Sequence, residues 1–189
     1  MSATLTTIET QVRYLLNETS KSQIPGDIFT YGASNVFTLG ESNVIAILDV
    51  LVNDETSAVT YTYNSVTKKL TITSSLISGD TVEIQYTYYP NYSSSEIQNY
   101  IRAATMHLSV NNYYDFEIEA AGEVYPDLTV RESNLLAFVT AILIEPNNAT
   151  YRLPDMTINV PNSLPTEDLI RKAIAIFKKD SSGVFAIVG

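Results

Sequence analysis

Apolar residues recur at helical spacing from the start of the chain. Leu5, Ile8, Val12 and Leu15/Leu16 fall on one face and predict a helix over residues 4–18. Thr6 and Glu9 have the spacing of a capping box, and Gly26, after Pro25, ends the segment. Between residues 27 and 90 the period changes to two. Val59, Tyr61 and Tyr63 share one face of a strand, Leu70 and Ile72 one face of the next, and Val82, Ile84, Tyr86 and Tyr88 one face of the last. Val44–Asn53 is a longer, more apolar strand. Ser78-Gly79-Asp80 is a turn signal and Asn64-Ser65 a weaker one. Five or six strands in roughly 64 residues predict a small antiparallel sandwich or barrel.

The helical period returns after Pro90. Ser93-x-x-Glu96 reads as a capping box, followed by the stripe Ile97, Tyr100, Ile101, Ala104 and Leu108. Thr129-x-x-Glu132 opens a third helix, Arg131–Glu145. Its end, LLAFVTAILI, is apolar all round, which predicts burial on every side, and Pro146 stops it. Residues 146–165 are extended and broken by Pro146, Pro154, Pro161 and Pro165, with Met156, Ile158 and Val160 alternating as a short strand. Thr166 caps a last helix with Glu167 and Asp168 in its first turn and Lys178 and Lys179 in its last, as the helix dipole favours. Leu169, Ile170, Ala173, Ile174 and Phe177 form its apolar stripe. The order predicts an α+β protein with four helices. Residues 1–26 and 91–189 form a helical domain, and residues 27–90 form an antiparallel β module inserted between helix 1 and helix 2.

Composition narrows the classes open to this chain of 189 residues. Apolar residues make up 45% and charged residues only 17%, so the surface is polar-neutral or covered by a partner. There are no cysteines, which excludes disulfides, thiolate catalysis and Cys-ligated zinc. The first ten residues, MSATLTTIET, lack the basic and apolar regions of a signal peptide. The longest apolar run, Leu135–Ile144, is too short to cross a membrane. Synthesis in the cytoplasm is the expectation. A formal net charge of −10 argues against nucleic-acid binding through clustered cations. It does not argue against a protein that DNA slides past, since an acidic wall repels DNA. Only the last stretch, with Arg171, Lys172, Lys178 and Lys179 against Glu167, Asp168 and Asp180, is mildly basic.

Chemistry-bearing residues are sparse. His107 is the only histidine and reads as an edge-of-core residue; no G-x-S-x-G element supports a Ser-His-Asp alternative. Asp115, Glu117 and Glu119 alternate like the start of a calcium loop, but the glycine, Gly122, comes two positions late and Pro126 stands where the bidentate Glu belongs. An acidic, solvated strand or loop is the plainer reading, an opportunistic cation site the other. No phosphate loop is present. Six of the thirteen tyrosines lie in residues 61–92. Tyr61, Tyr63, Tyr86 and Tyr88 read as core packing, Tyr89 and Tyr92 as junction residues, and a glycan- or base-stacking platform is the alternative. No catalytic residue, metal site or cofactor is expected.

Phe185, Ile187 and Val188 follow a helix whose apolar face is already complete. Either they add a strand to their own domain, beside residues 156–160, or they dock on a partner.

Three segments, PNYSSSEIQNYIRAATMHLSVNNYYDF, VYPDLTVRESNLLAFVTAILIEPNN and YRLPDMTINVP, resemble the head-to-tail adaptor (connector) proteins of tailed bacteriophages. The segment ending SGDTVEIQYTYYP resembles a β insertion carried by some phage members of that group. The resemblance rests on apolar and turn positions, with no catalytic signature. It implies a structural, non-enzymatic protein of the virion neck with a helical adaptor core and a ring of about twelve copies. The portal lies on one side of such a ring, the tail or a stopper protein on the other, and DNA is only passing cargo. It also implies that the last segment grips the portal. Here that gives Phe177, Lys178, Lys179, Val184, Phe185, Ile187 and Val188 as partner-binding residues. The smallest members lack a β module. A tail-completion or capsid-decorating protein, or a glycan-binding module, is the competing reading.

Overall fold

A computed structural model of the chain describes residues 4–56, 59–111, 113–148, 150–153, 156–159 and 164–179. The elements run α1 (Leu5–Leu15), β1 (Lys21–Thr30), β2 (Val36–Thr38), β3 (Val44–Val52), β4 (Glu55–Thr56), β5 (Tyr61–Asn64), β6 (Lys69–Ile72), β7 (Thr81–Tyr88), α2 (Ser94–Val110), β8 (Glu117–Ile118), β9 (Val124–Tyr125), α3 (Val130–Ile144), β10 (Thr150–Leu153), β11 (Met156–Asn159) and α4 (Thr166–Lys179). The fold is α+β, with four helices and antiparallel sheets among the described residues. It divides into two compact units, residues 1–18 with 94–189, and residues 19–93. The expected boundaries were 26/27 and 90/91. Among the described residues no helix is long and apolar enough to cross a membrane.

In the helical unit α3 is the centre. Leu135 to Ile142 are all buried, and α1, α2 and α4 each pack on this helix. A helix without a polar face is stable only with neighbours on every side. Both of its buried hydroxyls are satisfied: Thr140 donates to the Leu136 carbonyl at 2.7 Å and Ser133 to the Gln11 side-chain carbonyl at 2.8 Å. Thr129 and Glu132 form the expected capping box. The Glu132 N–H donates to Thr129 Oγ1 at 3.3 Å, and the Thr129 N–H donates to the Glu132 carboxylate at 2.7 Å. The other helices contribute single stripes: Leu5, Ile8, Val12 and Leu15 from α1, and Ile97, Ile101, Ala104 and Leu108 from α2.

α1 begins differently from its sequence reading. Thr4, not Thr6, is the N-cap and accepts from the Thr7 N–H at 3.3 Å. Glu9 is turned to Arg13 and takes no part in a cap. The Leu5 N–H, an orphan donor of the first turn, donates to the Gly122 carbonyl at 2.8 Å. Gly122 sits at φ 84°, where a side chain is strained, in the turn joining β8 to β9. β10 and β11 form a second hairpin. Its Tyr151 is fully buried and meets the Phe138 ring edge-on, 5.2 Å between centroids.

The β unit is a two-layer sandwich. One sheet has the order β1-β7-β3-β4, the other β2-β6-β5. Both feed a single core of Phe37, Leu39, Val50, Leu70, Ile72, Val82, Ile84 and Tyr86. The period-2 faces of β6 and β7 are as expected. Tyr61 departs from its expected core-side position and is 39% exposed. It opens β5, an edge strand paired with β6.

Among its described residues the unit has seven strands rather than five or six, two of them, β2 and β4, only three and two residues long, and β1 starts at Lys21 and runs through Pro25 and Gly26. Those two residues read as a terminator but sit in a bulge, with the β7 register shifted between Gln23 and Asp27. A proline is tolerated there because β1 is an edge strand. Gly26 is required by close approach: a Cβ at this position would lie 2.2 Å from the Ile84 carbonyl oxygen. Its N–H donates to the Glu83 carboxylate at 2.8 Å.

Candidate interaction site

The partner-binding residues expected from sequence all lie on or after α4. Leu169, Ile170, Ala173, Ile174 and Phe177 are buried and form the face through which α4 packs on α3. Phe177 is 5% exposed, and the Arg131 guanidinium lies over its ring, 5.9 Å from the centroid. That cation–π contact fixes the last turn of α4 against the first turn of α3. At the other end of α4, Glu167 Oε1 is 3.7 Å from His107 Nδ1 on α2. Phe177 is therefore an anchor of the unit's own core and offers almost no surface to a partner. Lys178 and Lys179 are the last two residues of α4. Val184, Phe185, Ile187 and Val188 lie outside the described residues.

The other candidates occupy separate places. His107 is partly exposed, and its only ionic neighbour among the described residues is Glu167. Asp115, Glu117 and Glu119 do not converge. Asp115 accepts from the Ser109 hydroxyl, Glu117 pairs with Tyr125 in the β8–β9 hairpin, and Glu119 closes its turn through backbone bonds with Gly122 and Glu123. No group of three or more His, Asp or Glu able to hold a metal occurs among the described residues.

The four tyrosines read as core packing do not share one environment. Tyr86 is fully buried, Tyr63 and Tyr88 are partly buried against the sandwich core, and Tyr61 stands at its edge. The Tyr86 phenol is held well above its ordinary range, first by burial and further by its hydrogen bond to Asp27 at 2.9 Å and the Asp27 charge. Asp27 also accepts from the Gly40 N–H at 2.7 Å, so Tyr86 and Asp27 together tie β7, β1 and the residues after β2. Tyr151 is raised likewise, first by burial and then by the Glu145 charge.

One buried polar cluster escaped the sequence reading. Arg13 is 4% exposed and binds two carboxylates, Glu9 at 2.8 Å and Glu18 at 2.6 Å, each of them also buried. Glu9 and Arg13 are spaced i,i+4 on the flank of the α1 stripe. That spacing is the only signal a sequence offers, and it is the same for a solvated surface pair.

Neither the known protein-family models nor the curated proteins match this chain.

Proposed function

We propose that this chain is a non-enzymatic structural subunit of a tailed-phage virion. It is a head-to-tail adaptor that assembles into a ring of about twelve copies between the portal and the tail or stopper. In this reading the helical unit is the adaptor core and the β-sandwich is its insertion. The observation that carries it is the state of α4. Every apolar side chain of its stripe, Leu169 to Phe177, is already used inside the unit. The apolar run Val184, Phe185, Ile187 and Val188 follows α4 in the sequence. A short apolar segment behind two lysines is suited to strand addition or groove insertion on another subunit. The acidic balance of the chain, −10, fits a channel wall that does not retain DNA.

The test is removal of residues 181–189. The truncated protein should keep its thermal unfolding transition and its helical content. It should lose binding to the portal protein of the same phage. Full portal binding by a folded truncated protein would remove this segment from the assembly.

A further inference from the structure

Arg13 stands where the chain leaves and re-enters the helical unit. α1 ends at Leu15, and Asn17, at φ 55°, turns the backbone so that the Glu18 N–H donates to the Arg13 carbonyl at 2.9 Å. Glu18 is the last residue of the unit before the excursion of residues 19–93. Its carboxylate accepts from Arg13 Nη1 at 2.6 Å. Ser94 is the first residue after the excursion and opens α2. Its hydroxyl accepts from Arg13 Nη2 at 3.4 Å. One turn further along α2, Gln98 donates to Glu9 Oε2 at 3.1 Å, while Glu9 Oε1 accepts from Arg13 Nε and Nη2. One guanidinium thus joins the body of α1, the exit residue and the re-entry residue.

This set is an expensive way to hold two points together. Two carboxylates and one guanidinium are withdrawn from water with a formal charge of −1, and apolar packing of similar volume is often as stable. What the ions supply is directional bonding at three specified places. On the other side of the crossing, β1 and β7 pair from their outermost residues, Lys21 with Tyr88 and Ser22 with Thr87. The outgoing and returning strands therefore run side by side. Each unit has its own closure at the crossing, ionic in one and a strand ladder in the other. The sandwich also has its own core, with no member from the helices.

We propose that Arg13 is the fastener that closes the helical unit across the insertion. Residues 19–93 are then a self-contained module that the helical unit does not need in order to fold. This stands independently of the adaptor reading.

Two measurements test it. In the full chain, residue-level amide hydrogen exchange should show Arg13→Ala speeding the slowest amides of α1, α2 and α3. The factor is roughly 10²–10³, as expected when a buried ion pair loses its cation. The slowest amides of β6 and β7 should change less than about threefold, the error of a site that is not coupled. In a second chain, residues 19–93 are replaced by a short Gly-Ser linker. This chain should unfold cooperatively with the helical content of the intact unit, and Arg13→Ala should destabilise it as well. If Arg13→Ala accelerates both units alike, or if the linker chain has no cooperative transition, the proposal is overturned.

Discussion

At the residue scale, the close contacts of the β unit set the sharpest expectations. Gly26 has a carbonyl oxygen where a methyl group would go, whereas nothing lies within 4 Å of a Cβ at Gly32. Gly26→Ala should cost the β unit about 1–3 kcal/mol, the usual range for forced overpacking. Gly32→Ala should be close to neutral, and denaturant midpoints of the two variants check the contrast. Two carboxylates contribute to the acid response. Asp80 is held below its ordinary range by the Ile77 N–H and the Asn53 amide, and Glu83 by the Gly26 N–H and the Gln85 amide. A lowered folded-state pKa means that the folded chain binds its proton less readily than the unfolded chain. The stabilisation is complete above the ordinary carboxylate range and is lost as pH falls through that range and below it. The pair Asp80→Asn and Glu83→Gln should therefore flatten the loss of stability as pH falls through and below the ordinary carboxylate range. An unchanged acid limb would assign that loss to other groups. Neither feature is readable in sequence, because Gly26 and Glu83 meet only through the pairing of β1 with β7.

At the element scale, sequence and structure agree where one local rule dominates. The apolar run of α3, its Thr129–Glu132 box and the alternation of β6 and β7 are local patterns, and each forms as the pattern requires. Disagreement arises where tertiary pairing decides. β1 continues through Pro25 and Gly26 because β7 accepts a bulge there. Tyr61 has the right alternation but stands at the start of an edge strand and is exposed. Thr6 and Glu9 have the spacing of a capping box, yet Thr4 caps α1 and Glu9 is claimed by Arg13. The α3 box gives a direct check. Thr129→Ala removes the acceptor for the Glu132 N–H and should lower stability of the helical unit by about 0.5–2 kcal/mol. Thermal unfolding of that variant measures it, with Thr166→Ala as a comparison at the first residue of α4.

At the scale of the whole molecule, the alternation of helical and strand periods carried the class, α+β with four helices. It did not carry the unit boundaries. These fall at 18/19 and 93/94, where Arg13 and the first β1–β7 pairs close the two units. The bond of Arg13 to Ser94 and the β1–β7 ladder join residues far apart in sequence, and the bond of Arg13 to Glu18 is a single pair, so none leaves a periodic trace. The candidate site was legible only as composition. An amphipathic α4 followed by an apolar run is visible in the sequence, but the inward anchoring of Phe177 under Arg131 is a tertiary fact. In the proposed assembly, that anchoring leaves the partner contact to the residues after α4 rather than to Phe177. The central claim, an adaptor that forms a ring on a portal, is tested most directly by native mass measurement of this chain alone and mixed with the portal protein of the same phage. The account predicts a portal complex that gains about twelve copies of the 20.9 kDa chain. A mixture in which the portal gains no mass would contradict it.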